Sequence, residues 1–310
     1  HKNLYFIGED IIDPYGGAFK ATKGLSKLFP ERVLNMPISE AGFMGLANGM
    51  ALRGLRPVVE IMFGDFVTLI LDQLVNHATK FQRMYGGSVK CPVVIRSPMG
   101  GYRGYGPTHS QSLEKILIGI PGLIVLAASP IHDINLMWKN LLDLESPVFM
   151  IENKNLYGQT IKNYNGDKID NFYVSSSNSY FPTISLSLVG HNNKPDIIIL
   201  TYGGMTSLSM KASQELFIEE ELNIEVLVFS QVSPIPKGEL AKVSKRCNTI
   251  VTVEEGTLRA GWGSEISANF NANISIHRYG AVDTIIPVSK LEEEKVLPSI
   301  GGLKKIIKKS

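Results

Sequence analysis

The sequence predicts an α/β protein built from two doubly wound domains, in which mainly parallel sheets are covered by helices. Short apolar runs rich in β-branched residues recur along the 310-residue chain. Most are apolar throughout rather than alternating, which is typical of strands buried on both faces of a parallel sheet. Segments with helical periodicity lie between these runs, so strand and helix alternate. A chain of this length can form two domains with substantial cores.

The predicted strands begin at the first residues, where "HKNLYFIGED" already has the pattern of a strand. A second short strand leads into Pro37. The later strands are predicted at 58–63, 92–97, 122–128, 147–153, 196–202, 225–230 and 249–255. Because the chain opens within a strand and without methionine, we expect that the natural N-terminus has been lost.

Helices are predicted between these strands, and the first long one begins just after Ser39. The segment 67–87 places apolar residues on one helical face and ends at a pair of glycines. Segments 132–147 and 205–223 follow the same pattern.

One polar stretch interrupts the alternation of strands and helices. It is rich in Asn and Ser and has no helical period, so residues 166–193 are predicted to be a linker. The linker divides the chain into a domain at 1–165 and a domain at 194–310.

Composition excludes several classes of function. The formal net charge is +2 with 19% charged residues, which indicates neither a nucleic-acid nor an acidic-membrane partner. The longest apolar run is interrupted by Pro121-Gly122 and is shorter than the roughly 20 residues that a membrane span requires. The two cysteines, Cys91 and Cys247, have no metal-type spacing, and we expect buried thiols rather than a disulfide. Without a signal peptide, a soluble cytoplasmic protein is expected.

The helix after Ser39 carries three glycines directly behind a carboxylate. Gly42, Gly45 and Gly49 follow an i, i+3, i+7 spacing and form one bare face. Each glycine in a helix costs about 0.5–1 kcal/mol relative to alanine. Glu40 lies at the carboxyl end of a strand, where open α/β sheets bind ligands. It could merely complement the helix dipole. Beside a tightly packed helix pair it is instead a candidate for a buried carboxyl with a shifted pKa.

A glycine-rich loop follows the strand at 92–97. This loop, "MGGYRGYGPTHSQS" (99–112), carries Arg103 and His109. Loop histidines are commonly just solvated, but glycine-rich loops at strand ends are also where catalytic residues lie. Arg103 could hold an anionic group or be an ordinary surface arginine.

Two aromatic residues flank Gly64-Asp65 at the end of the strand at 58–63. Phe63 is interpreted first as a core aromatic. Phe66, at the turn from strand to helix, could offer its face to a flat heterocycle.

Taken in this order, the three stretches resemble the beta subunit of the thiamine-diphosphate-dependent 2-oxoacid dehydrogenases, the decarboxylase component of pyruvate and branched-chain oxoacid complexes. The resemblance covers nearly the whole chain. Its most specific parts are "PISEAGFMGLANGMALRGLRPVVEIMFGDF" (37–66) and "GPTHSQSLE" (106–114). It implies a transketolase-like pyrimidine-binding domain followed by a transketolase C-terminal-like domain. It also implies an active site between two chains, with the glycine-faced helix packed at their interface.

The resemblance also implies roles for individual residues. Glu40 matches the glutamate that hydrogen-bonds the aminopyrimidine ring of thiamine diphosphate. Phe66, together with Phe63, matches the aromatic wall near that ring. His109 matches the histidine close to the substrate, an acid/base candidate, and Arg103 is a substrate-binding candidate. A monovalent-cation site for K⁺, present in some relatives, corresponds to the backbone of four residues: Val93, Leu141, Leu144 and Ser146.

The resemblance further implies partner chains. The sequence lacks the GDG motif and downstream Asn-Asn pair that hold magnesium and diphosphate in thiamine enzymes. An alpha subunit is therefore expected to hold Mg²⁺ and the diphosphate, and this chain is expected to form a homodimer. A lipoyl acyltransferase is a further expected partner, although the "LDAP"-like stretch of the region that docks it is absent.

The leading expectation is thus a beta subunit that decarboxylates a 2-oxo acid and passes on the acyl unit. Thr108 gives the loop the form "GPTH", which resembles transketolases and deoxyxylulose-phosphate synthases. An alternative is therefore a free-standing two-component enzyme that transfers a two-carbon or acyl unit in a biosynthetic pathway. A third possibility is a non-catalytic scaffold subunit.

Overall fold

The computed structural model describes residues 1–161 and 167–310, which form two seven-stranded sheets. The strands are β1 (Leu4–Gly8), β2 (Val33–Asn35), β3 (Arg56–Glu60), β4 (Val94–Met99), β5 (Ile124–Ala127), β6 (Val148–Asn153), β7 (Lys168–Ile169), β8 (Phe172–Ser176), β9 (Thr183–Ser187), β10 (Ile197–Tyr202), β11 (Ile224–Phe229), β12 (Gln231–Ser233), β13 (Thr249–Thr257) and β14 (Ser275–Ala281). The α-helices are α1 (Leu25–Leu28), α2 (Glu40–Leu52), α3 (Phe81–Met84), α4 (Ile134–Asp143), α5 (Met205–Glu220), α6 (Lys237–Arg246), α7 (Trp262–Ser267), α8 (Lys290–Val296) and α9 (Ile300–Ile307).

The first sheet has the strand order β12-β5-β6-β4-β3-β1-β2. Strands β1 to β6 are parallel to their neighbours, with Phe6 opposite both Val33 and Val58. All six residues of β4 are buried, as expected for a strand covered on both faces. The last strand, β12, comes from the C-terminal half of the chain and pairs antiparallel with β5.

The second sheet has the order β14-β13-β10-β11-β9-β8-β7. Its four strands β14, β13, β10 and β11 are parallel. The two-domain α/β prediction is therefore confirmed, and both sheets are mixed because each carries antiparallel strands at one edge.

The predicted linker is wrong for most of its length. Within 166–193 the structure places β7, β8 and β9, which extend the second sheet beyond β11 in antiparallel pairs. The strand β9 alternates polar and apolar residues, and its Ile184 and Leu186 are buried. Antiparallel strands commonly alternate in this way rather than forming a continuous apolar run, so the polar residues of β9 resemble a linker. The predicted boundary at residue 165 lies outside the described residues.

The single helix predicted over 67–87 is also divided. A 3-10 helix over Gly64–Ile70 and a π-helix over Asp72–Ala78 precede the short α3. The apolar spacing still holds, because Val67, Ile70 and Leu74 are completely buried. The sequence therefore identified the buried face but not the hydrogen-bond pattern.

One large apolar cluster crosses from the first sheet to the second. It joins Val125 and Ala127 of β5 to Phe229 and Trp262 of the C-terminal half. Cys91 and Cys247 are buried free thiols, as predicted. Among the helices of the described residues, none has both the length and the hydropathy of a membrane span.

Candidate active site

Glu40 is the first residue of α2, and its surroundings are acidic. Glu40 is 9% exposed, and in residues 1–161 and 167–310 nothing donates a hydrogen bond to its carboxylate. Glu9, just after β1, lies near it. Burial raises the pKa of Glu9, and the charges of Glu40 and Asp10 raise it further, against a hydrogen bond from the Ser39 backbone. The Oε1 atom of Glu9 is buried without a partner in the described chain. The structure therefore adds a second carboxyl that the sequence reasoning missed.

The glycine face of α2 is open to solvent. A Cβ atom at Gly49 would meet nothing within 4 Å, and one at Gly45 would meet only Gln73 Cγ at 3.9 Å. The opposite face of the helix packs into the core through Phe43 and Met44. The helix therefore has one buried face and one bare face on which a second helix could approach closely.

His109 lies among aromatic rings at the end of the glycine-rich loop. Its ring centroid is 4.7 Å from that of Phe63 and 5.3 Å from that of Phe66, both in edge-to-face geometry. Its Nδ1 atom lies 2.9 Å from Thr108 Oγ1. Its Nε2 atom makes no hydrogen bond within the described part of the chain. The imidazole is half-buried and has one nitrogen available to a ligand.

The structure brings the predicted elements into contact. The 3-10 helix that carries Phe66 packs against α2, which carries Glu40. Phe63 contacts His109, Phe66 and Tyr105, and it belongs to none of the apolar clusters of the described residues. The sequence reasoning favoured the core for Phe63, and this interpretation was wrong.

Arg103 is exposed and is not free of partners. Its Nη2 atom donates to the carbonyl oxygen of Lys154 at 2.8 Å. This bond holds the guanidinium at the start of the loop that carries His109. The remaining nitrogen atoms of Arg103 can bind an anion, so its substrate-binding role stays a prediction.

The loop before His109 is held from the second domain. Glu255 of β13 accepts hydrogen bonds from the Gly101 amide at 2.7 Å and from Ser112 Oγ at 3.0 Å. Glu293 of α8 accepts from the amides of Tyr102 at 3.1 Å and Gly104 at 2.6 Å. Both carboxylates are buried. The loop of the first domain therefore takes its shape from carboxylates of the second.

Gly100 shows how closely the two domains approach in this loop. It has a φ of +103°, and a Cβ atom there would lie 2.5 Å from Glu255 Oε1. Any side chain would be strained in this conformation and would displace the carboxylate.

Three of the four backbone carbonyls predicted to hold K⁺ each accept a hydrogen bond within the chain. The Leu144 carbonyl accepts from Arg56 Nη1 at 2.7 Å, the Leu141 carbonyl from the Leu144 amide at 3.3 Å, and the Val93 carbonyl from the Val148 amide at 3.0 Å. One of the predicted oxygen atoms, the Leu144 carbonyl, thus accepts a hydrogen bond from the guanidinium cation of Arg56. Each carbonyl oxygen retains a second lone pair, so the K⁺ site stays a prediction. In the ranges 1–161 and 167–310, no group of three or more His, Cys, Asp or Glu side chains is arranged to hold a metal ion.

The site also contains residues that no sequence motif indicated. They share one property, because each is a buried ionisable residue at or next to the carboxyl end of a strand or in the turn that follows it. They are Glu9, Asp65, Lys154 and Glu255. The same strand-end rule that drew attention to Glu40 would have found them.

Two family models match the chain. The transketolase pyrimidine-binding domain matches residues 1–160, and the transketolase C-terminal domain matches residues 189–300. The two sheets are therefore those of the transketolase class, which implies a thiamine-diphosphate-dependent protein.

Relatives define the family more closely. The chain is 31% identical to the mitochondrial pyruvate dehydrogenase E1 component subunit beta-1 of Arabidopsis thaliana, over 99% of this chain and 84% of the relative. It is 32% identical to the mitochondrial subunit beta of Saccharomyces cerevisiae, over 99% and 83%. It is 33% identical to the subunit beta of Rickettsia conorii, over 86% and 77%. The chain belongs to the family of E1 beta subunits of thiamine-diphosphate-dependent 2-oxoacid dehydrogenases.

A solved structure shares the fold. The split gene transketolase, described as an inactive beta4 tetramer, aligns with a TM-score of 0.75 at 19% identity, over 100% of this chain and 92% of that chain. This likeness concerns the arrangement of the two sheets.

Proposed function

We propose that this chain is the beta subunit of an enzyme that decarboxylates a 2-oxo acid and passes on the acyl unit, with its active site completed by an alpha subunit. The observation that carries the proposal is the pairing of Glu40, which has no donor in the described chain, with the bare glycine face of α2 directly behind it. A carboxylate oxygen that has no donor within the chain can accept a hydrogen bond from a ligand. A cofactor nitrogen and a partner helix would satisfy both features.

The residues present fit the pyrimidine end of thiamine diphosphate. Glu40 can hold a proton against a ring nitrogen, and Phe66, on the 3-10 helix packed against α2, offers an aromatic face to a flat ring. When bound, thiamine diphosphate supplies a thiazolium carbon that adds to the 2-oxo carbon and accepts the electrons released on decarboxylation. The protein supplies orientation and proton transfer around that chemistry.

His109 and Arg103 face the substrate in this proposal. The Nε2 atom of His109, free of partners in the described chain, can give or take a proton at the carbonyl oxygen of the 2-oxo acid. The guanidinium of Arg103 can hold the carboxylate of the substrate. Phe63 and Phe66 pack against the imidazole and restrict its rotation.

The diphosphate end is assigned to the alpha subunit. Mg²⁺ and the diphosphate would be bound there, because the sequence contains no magnesium–diphosphate motif. A calorimetric titration of the isolated chain with thiamine diphosphate and Mg²⁺ tests this division. We expect no tight binding without the partner, and tight Mg²⁺-dependent binding by the isolated chain would refute the shared site.

The role of Glu40 is tested by Glu40→Gln in the assembled enzyme. Losing the carboxylate should lower turnover of 2-oxo acids about 10²–10⁴-fold, the usual contribution of a positioned proton-transfer group. Glu31→Gln, which changes an exposed glutamate, is the matched control. Turnover is measured with an artificial electron acceptor, and unchanged turnover in Glu40→Gln would contradict the proposed role.

The same assay distinguishes the reaction types. Decarboxylation of a 2-oxo acid releases carbon dioxide and reduces the acceptor, whereas ketol transfer between sugar phosphates does neither. A second assay with a lipoyl acyltransferase domain as acceptor tests whether the acyl unit passes to a lipoyl group. An assembled enzyme that neither turns over a 2-oxo acid nor transfers a ketol unit between sugar phosphates would favour the scaffold alternative.

A further inference from the structure

Lys154 is a completely buried lysine directly beneath the loop that carries His109. It follows β6 and is 0% exposed, which is rare for lysine unless the charge is paired. Its Nζ atom donates to the carbonyl oxygen of Gly100 at 3.0 Å and to the carbonyl oxygen of His109. One ammonium group therefore joins the two ends of the loop.

Asp65 completes this arrangement from the opposite side. Its Oδ2 atom is 3.8 Å from Lys154 Nζ and is otherwise buried without a hydrogen-bond partner in the described chain. Its Oδ1 atom accepts from the Gln111 amide at 3.1 Å and from Gln111 Nε2 at 2.9 Å. The ion pair thus binds the carbonyl of His109 through its cation and the amide of Gln111 through its anion.

Lys154 also contacts the aromatic wall of the site. Its Nζ atom lies 5.1 Å from the ring centroid of Phe63, whose edge-to-face partner is His109 at 4.7 Å. A cation near an aromatic ring is stabilising when it is shielded from water. The backbone of His109 and one wall of its ring are therefore both held by the same ammonium group.

We propose that Lys154 is the positioning residue for His109, and that it acts with Asp65 through the backbone of the loop. This inference rests on the proposed function, in which His109 transfers a proton at the substrate. Lys154 itself lies behind the loop, and both of its hydrogen bonds go to backbone carbonyls of that loop. It sets where the imidazole stands without contacting the substrate.

The charges around Lys154 give the proposal a signature in pH. The pKa of Lys154 is lowered to about 8, mainly by burial and to a smaller extent by Arg103, against the opposing effects of Asp65, Glu255 and Glu293. The ammonium therefore loses its proton above about pH 8, and the ion pair with Asp65 is lost with it. We expect a decline of kcat on the alkaline side near that pH in the assembled enzyme.

Two variants separate positioning from general stability. Lys154→Met removes the donors while keeping the length of the side chain, but leaves Asp65 as an unpaired buried charge and so lowers the melting temperature. The double variant Asp65→Asn with Lys154→Met removes both charges and recovers much of that loss. If the pair positions His109, kcat of the double variant stays about 100-fold below that of the unmodified enzyme, since a displacement of the imidazole by about 1 Å can have that effect. KM for the 2-oxo acid stays nearly unchanged, and the alkaline decline near pH 8 disappears.

Lys115→Met is the matched control. Lys115 also donates to backbone carbonyls, those of Thr257 at 3.2 Å and Arg259 at 3.0 Å, but these lie outside the loop of His109. We expect its kcat and pH profile to match those of the unmodified enzyme. A double variant with unchanged kcat and an unchanged alkaline decline would overturn the proposal.

An independent readout uses the isolated chain and no substrate. With ¹³C-labelled histidine, the His109 signal is identified among six histidines by its loss in His109→Asn. We expect an inflection of this signal near pH 8 that is absent from the double variant. If this difference in the inflection is observed while the assembled enzyme turns over no 2-oxo acid, the positioning stands and the proposed function fails. If the His109 signal is identical in the unmodified chain and in the double variant, while the unmodified enzyme is active, the positioning fails and the proposed function stands.

Discussion

Alanine at Gly45 and Gly49 should stabilise the isolated chain and weaken its assembly with a partner. Both positions lie on the exposed face of α2. A Cβ atom has open space at Gly49 and only a 3.9 Å contact at Gly45. The isolated chain therefore gains helix propensity without a steric penalty, whereas a closely packed partner helix would meet two new methyl groups.

The opposite effects can be estimated. Each glycine-to-alanine change in a helix contributes about 0.5–1 kcal/mol, so the double variant should be more stable by about 1–2 kcal/mol. At about 2–4 °C per kcal/mol, the melting temperature should rise by about 2–8 °C. Overpacking at a close helix contact costs about 1–3 kcal/mol for each site. Two sites together should weaken the partner complex at least about 25-fold.

The assay combines thermal denaturation of the isolated chain with a titration of the alpha subunit. Gly301→Ala is the matched control, because Gly301 is an exposed helical glycine in α9 with no atom within 4 Å of its Cβ position. We expect the control to leave partner binding unchanged. A double variant that binds the partner as tightly as the unmodified chain would refute the assignment of this face to a helix contact. A lower melting temperature would refute the view that the face is open in the isolated chain.

Two further predictions concern buried titratable groups. Burial lowers the pKa of His132 from 6.5 to about 4 against its hydrogen bonds with backbone carbonyls, so the folded chain binds fewer protons than the unfolded chain in that range. Its stability should fall by up to about 3 kcal/mol as pH falls from 6.5 to 4, and urea titrations of His132→Gln should lack this slope. Burial raises the pKa of the Cys91 thiol to about 12. Burial also raises the pKa of the Cys247 thiol. A colourimetric thiol reagent should therefore modify neither cysteine in the folded chain and both in denaturant.

The sequence predicted the central strands because burial on both faces leaves an unmistakable pattern. Strands β10 and β11 are almost entirely apolar in sequence and completely buried. The strands β8 and β9 were missed because serine and threonine residues break up or end their apolar runs. Ser185 of β9, for example, hydrogen-bonds Glu225 of β11 at 2.5 Å, a partner 40 positions away in the sequence.

The site was predicted only as far as local signals allow. Glu40 and His109 were proposed because each lies in a glycine-rich segment that follows a strand, Glu40 after β2 and His109 after β4. Glu293 was missed, because its partners are backbone amides that the fold brings to it. Glu293 bonds the amide of Gly104, which is 189 residues away in the chain. No local pattern encodes such a pair.

The strand β12 makes the two halves of the chain inseparable as modules. Residues 231–233 lie within the match to the C-terminal domain, yet they complete the edge of the first sheet by pairing with β5. A fragment limited to the first domain would leave β5 as an open edge, and open edges template aggregation. A chimera that takes its C-terminal half from a relative would likewise carry a foreign strand into the cofactor-binding sheet. Evolution of the second domain is therefore constrained by the strand geometry of the first.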